Sequence, residues 1–86
     1  MLKIRRLVEG ESITFALSGR IEDQDLAQLR SLTEAEPRPV VLDLKEVTLA
    51  GRDAVRFLAE CEQKGIRLSE CPAYLLGWIA AERDRN

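Results

Sequence analysis

The run Val40-Val41-Leu42-Asp43-Leu44 constrains this chain more than any other stretch. Pro37 and Pro39 stand just before it, and the run is too short for a helix of its own. Side chains alternate faces along a strand. A run that is apolar at both parities, apart from Asp43, therefore suits a central parallel strand covered on each side. A parallel neighbour cannot be reached by a hairpin and needs a crossover, usually a helix. The rest of the chain should then alternate strands with helices.

The flanks match that demand. Residues 2–8 and 12–18 read as strands joined at the turn-forming Glu9-Gly10-Glu11, an antiparallel hairpin. Ile13, Phe15 and Leu17 alternate with Thr14, Ala16 and Ser18, whereas Leu2, Ile4 and Val8 share a face with Arg6, which an edge strand tolerates. Ser18-Gly19-Arg20 breaks the second strand. "IEDQDLAQLRSLTEAE" then takes helical spacing, with Leu26, Leu29 and Leu32 near one stripe and Glu22, Asp23 and Asp25 in the first turn. After Lys45-Glu46, Val47-Thr48-Leu49 resumes as strand and enters a loop. Beyond it Ala54, Val55, Leu58 and Cys61 mark the inner face of a helix that Gly65 ends. "IRLSEC" is one further short strand, and Pro72 opens a last helix over 73–83. The order predicts an α/β fold: a small sandwich with a mixed, mostly parallel sheet of about four strands, an antiparallel edge, and about three helices.

The 86 residues suffice for one domain, 1–86, and not for two cores. With 45% hydrophobic and 33% charged residues the chain has the material to fold. Thirteen basic and fifteen acidic residues, interleaved, give a net charge of -2 and no basic field, so no nucleic-acid partner is expected. No stretch approaches a membrane-spanning length and the first ten residues lack the apolar segment of a secretory signal, so a cytoplasmic protein without membrane insertion is expected. Cys61 and Cys71 cannot assemble a usual zinc set without histidine, of which there is none, and the commonest catalytic base is missing with it. G-x-x-x-x-G-K is absent as well. The expectation is a protein that is not an enzyme and carries no cofactor or metal.

Three stretches, "LSGRIEDQDLAQLR", "VVLDLKEVTLAGRDAVRFLAECEQKG" and "IRLSECPAYLLGWI", resemble the STAS domain, typified by bacterial anti-sigma factor antagonists. Gly19-Arg20-Ile21 fits that family's first turn, Val40 to Val47 its central strand, and Gly65 its later break. The resemblance implies a STAS-like sandwich that binds proteins through the loop after the central strand. It covers nearly the whole chain, although the family usually adds another strand and helix. At the loop, the family's D-S-S-G-L is met by Gly51, Arg52, Asp53, Ala54 and Val55. The regulatory serine falls on Arg52. Phosphate added to that serine carries a charge of roughly -1.5 to -2 and alters partner binding. Arginine cannot be so modified, and no phosphorylation site is expected here.

Asp53 reads either as a residue of the helix's first turn or as a fixed negative charge that mimics a modified state or pairs with a partner's arginine. Arg52 reads either as a solvated loop charge or as a grip on a partner carboxylate or phosphate. The candidate partner surface is Leu49, Gly51, Arg52, Asp53, Arg56 and Phe57. Tyr74 and Trp78, four residues apart on the last helix, form a second candidate interface or cover the core. Cys71-Pro72 admits a thiol carrier, with a capping or buried thiol as the plainer reading.

The reading of function is a non-enzymatic regulatory module similar to an anti-sigma factor antagonist, lacking the serine switch. Its implied partner is a kinase-like anti-sigma factor, and a homodimer stays open. The alternatives are a structural STAS subunit of an assembly such as a lipid-transport complex, docked through the last helix, and a thiol carrier using Cys71.

Overall fold

A computed structural model describes residues 1–85. The elements run β1 (Leu2–Glu9), β2 (Ser12–Ile21), a 3-10 turn (Asp23–Asp25), α1 (Leu26–Ala35), β3 (Val40–Ala50), α2 (Arg52–Gln63), β4 (Arg67–Ser69) and α3 (Ala73–Asp84). The four strands form one sheet in the order β1-β2-β3-β4. β1 lies antiparallel to β2, while β2, β3 and β4 are mutually parallel. This is the α/β arrangement with one antiparallel edge that the sequence predicts.

The strand order decides where the helices go. The crossovers β2-α1-β3 and β3-α2-β4 advance in the same direction across the sheet, and right-handed connections then place α1 and α2 on the same face. α3 joins them. Ile13, Phe15 and Leu17 of β2, Leu42 and Leu44 of β3, Leu29 of α1, Leu58 of α2, and Leu75 and Ile79 of α3 are buried in a single cluster. The expectation that β3 is covered on each side is therefore corrected. Val41 and Asp43 are only partly covered, and on that second face Lys3, Arg5, Ala16, Ser18, Asp43 and Lys45 line a shallow depression.

β3 is one strand of eleven residues, not two pieces broken at Lys45-Glu46. Its pairing with β2 shows why the pattern looks broken. Between Ala16 and Ser18 β2 advances two residues while β3 advances from Asp43 to Glu46; between Gly19 and Arg20 it advances one while β3 moves from Val47 to Leu49. Each step inserts one extra residue into β3, as a bulge does. The buried positions accordingly run Val40, Leu42, Leu44 and then Val47, Ala50.

β2 also continues through Gly19-Arg20 to Ile21 instead of ending at Ser18. Gly19 has φ +99°, and a Cβ there would overlap the Met1 carbonyl oxygen, so both backbone and space require glycine. The kink returns Ile21 to the core.

Smaller differences are local. The acidic cluster at 22–25 forms the 3-10 turn, where the Glu22 N–H donates to Asp25 Oδ2 at 2.9 Å, and α1 starts only at Leu26. α2 begins at Arg52, two residues ahead of its first core position. Pro72 is the N-cap of α3 instead of its first helical residue. At the C-terminus of α2, Gly65 (φ +92°) and Ile66 donate to Glu62 O and Cys61 O at 3.1 and 2.9 Å, the Schellman arrangement.

Candidate functional site

The loop after β3 sits at the carboxyl end of a central parallel strand, beyond the end of β4, which pairs only with Val41 to Asp43. Gly51 is the N-cap of α2, with φ -71° and ψ 175°, and no side chain caps the helix. Its N–H donates to Ile21 O at 3.4 Å, tying the loop to the end of β2, and its carbonyl accepts from Val55 N at 2.9 Å. Arg52 is the first helical residue and is exposed. Among the described residues it has no ion-pair partner. Asp53 lies in the first turn, where its charge complements the helix dipole.

The other members of the predicted loop surface divide. Leu49 is 48% exposed and lines a depression with Arg20, Glu22, Asp23 and Gly51. Arg56 is exposed and donates from Nε to Glu82 Oε1 of α3 at 3.2 Å. Phe57 is 2% exposed and must be removed from the partner surface. It faces α1, and the Arg30 guanidinium lies over its ring at 5.1 Å. α2 is flanked by α1, through Arg30–Glu60, and by α3, through Arg56–Glu82 and Arg83–Glu62. A helix flanked on both sides buries a wider arc than the stripe of Ala54, Val55, Leu58 and Cys61. Phe57 and Ala59 fall within that arc.

Trp78 is brought to the same place as Arg52, and Tyr74 supports it from outside the groove lining. The Tyr74 hydroxyl donates to Val47 O at 3.1 Å, on the stretch of β3 that β4 leaves unpaired. Its ring meets Trp78 edge to face, centroids 5.5 Å apart at 80°. Trp78, 48% exposed, then forms one wall of a groove of about 390 Å³ between α2 and α3, lined by Ala50, Arg52, Val55, Ala81, Glu82 and Arg85. The two surfaces that the sequence separates, loop and last helix, meet in this groove. Ala81, Glu82 and Arg85 lie outside the surfaces that the sequence singles out. They follow Trp78 on the same helical stripe, and extending the Tyr74–Trp78 spacing by two turns reaches all three.

The thiols fit structural roles. Burial pushes the Cys61 thiol up to about 11. Partial burial, and to a smaller degree Glu62, also push Cys71 up, opposite to the shift a nucleophilic thiolate needs. Among the described residues, no helix is long and apolar enough to cross a membrane.

No family model and no curated protein matches the chain. Among solved structures, one described as "Crystal Structure Analysis of Mglu" is similar, with a TM-score of 0.60 and 28% identity over 80% of this chain. The match spans 19% of that protein's length. The likeness supports the α/β arrangement described above.

Proposed function

We propose that this chain is a non-enzymatic, STAS-type interaction module that holds a protein partner on the surface running from Leu49 through Arg52 and Asp53 to Trp78, without a serine phosphoswitch. The observation that carries the reading is the meeting of Arg52, a guanidinium with no ion partner among the described residues, and the half-exposed Trp78 in one groove. Exposed charges usually find only weak partners. An aromatic wall beside a fork of free donors, by contrast, is the composition typical of protein-binding hot spots. The STAS resemblance supports the placement, because the loop aligned with the family's switch borders this groove. A kinase-like anti-sigma factor is the partner class that the resemblance suggests.

Titration of candidate kinase-like partners against the wild type and the Arg52→Ala/Asp53→Ala double variant tests the reading. Affinity should fall about tenfold or more. Unchanged affinity removes the loop from the interface.

One observation favours a second reading, a structural subunit docked through α3. Leu76 is 54% exposed and sits on α3 outside the groove lining. In that case Leu76→Glu disrupts assembly while the loop variants do not.

A further inference from the structure

We propose that the α2–α3 groove takes an acidic segment of a partner protein, with an aliphatic or aromatic side chain against Trp78 and a neighbouring Asp or Glu on Arg52 and Arg85. The inference rests on the partner-binding reading above and deepens it by assigning the partner's chemistry. The argument begins with what the groove leaves unsatisfied. Ala50, Val55 and Ala81 supply its apolar lining beside Trp78, so an apolar side chain is favoured over a bare anion.

The polar lining consists of Arg52, Arg85 and Glu82, and the carboxylate is already engaged. Glu82 Oε1 accepts from Arg56 at 3.2 Å, its Oε2 lies 4.0 Å from Arg85, and its side chain is 14% exposed. Two guanidinium groups already balance its charge and its side chain is mostly buried, so it offers little to a cationic ligand. The exposed side-chain hydrogen-bonding capacity is mainly donor, from the planar guanidinium forks of Arg52 and Arg85, which match a carboxylate. Two arginines and a glutamate in a chain of net charge -2 do not make a field for a nucleic-acid backbone. The groove is also concave between two helices, unlike a face that lies on a bilayer.

Trp78 is the only tryptophan in the chain, so its emission reports on the groove directly. Displayed random short peptides would be selected on the intact protein, and the enriched sequences synthesised and titrated against Trp78 fluorescence. The enriched set should place Asp or Glu next to an aliphatic or aromatic residue, and binding should shift the emission to the blue. Arg52→Glu should weaken binding about tenfold or more, Arg52→Gln by less, and replacing the peptide's acid by lysine should restore affinity for Arg52→Glu. Any of four results overturns the proposal: no enrichment, an enriched set that is basic or indifferent to charge, binding that leaves the Trp78 emission unmoved, or a shift produced by anionic phospholipid vesicles and by no peptide. If one of these occurs while the Arg52→Ala/Asp53→Ala variant still loses its protein partner, the loop reading stands and only the groove chemistry fails. If the partner titration is unchanged too, both fail.

Discussion

The two ends of α2 are built from similar residues and finished differently. At the C-terminal end, Gly65 closes a Schellman turn and Arg30–Glu60 and Arg83–Glu62 pair at 3.3 and 2.9 Å, while at mid-helix Phe57 lies beneath Arg30. At the N-terminal end, Gly51 caps nothing with a side chain, Arg52 has no ion partner among the described residues, and Trp78 is half exposed. One finished end and one with free donors beside an apolar wall separates the part that holds the fold from the part available for recognition.

The largest expected effect is at mid-helix, on the side of α2 that faces α1. Phe57→Ala removes a buried ring, and the cavity left between α1 and α2 should cost about 3–5 kcal/mol. Trp78→Ala, at the unfinished end, removes a half-exposed ring and should cost about 1 kcal/mol. Urea unfolding of both variants measures the contrast. Equal losses would mean that Trp78 is part of the core and the groove is not a free surface.

Gly65→Ala comes next. Space is open around Gly65, with nothing within 4 Å of an added Cβ, so the whole cost comes from φ +92°. A side chain in that conformation should cost about 1–2 kcal/mol, read from the same unfolding curves. A neutral result would show that the turn is not held in its left-handed form.

How much of this was legible depended on whether the deciding contact was local. The hairpin of β1 and β2, the central strand and the three helices follow from spacing, glycines and prolines near each element. The bulges in β3 do not, because an extra residue opposite Ser18 or Arg20 is defined only by the partner strand. Lys45-Glu46 looked like a break for that reason. The burial of Phe57 is not legible from spacing because it depends on α1, which flanks α2 from twenty-odd positions upstream. That no helix covers the second face of the sheet follows from strand order, which the sequence alone leaves open. The candidate site was legible as two pieces, and only the packing of α3 against α2 joined them.

Cys61, at the finished end, links the comparison to pH. Burial raises its thiol from 9.0 to about 11. Between those values the unfolded chain has released a proton that the fold retains, so rising pH favours unfolding. The contribution is fully present below about pH 9 and is lost as pH rises through about 11. Cys61→Ala should flatten that part of the profile relative to the wild type. In native protein a thiol reagent should modify the partly exposed Cys71 well before Cys61. Equal rates would mean that the finished end opens as readily as the surface.

The smallest effect is expected at the unfinished end. Gly51 holds an ordinary extended conformation, φ -71° and ψ 175°, and an added Cβ would meet only Asp23 Oδ1 at 3.9 Å. Neither backbone nor space demands glycine, unlike Gly19 and Gly65. Serine there can accept from the amides of the first turn of α2, and replacing an N-cap glycine with serine gains only a few tenths of a kcal/mol. Gly51→Ser should therefore raise the unfolding midpoint slightly and leave the Trp78 emission unchanged. Destabilisation would show that the loop is held in a form a side chain cannot share. A gain would show that the fold accepts a capped helix at this end, and that the open N-terminus beside Arg52 is not imposed by packing.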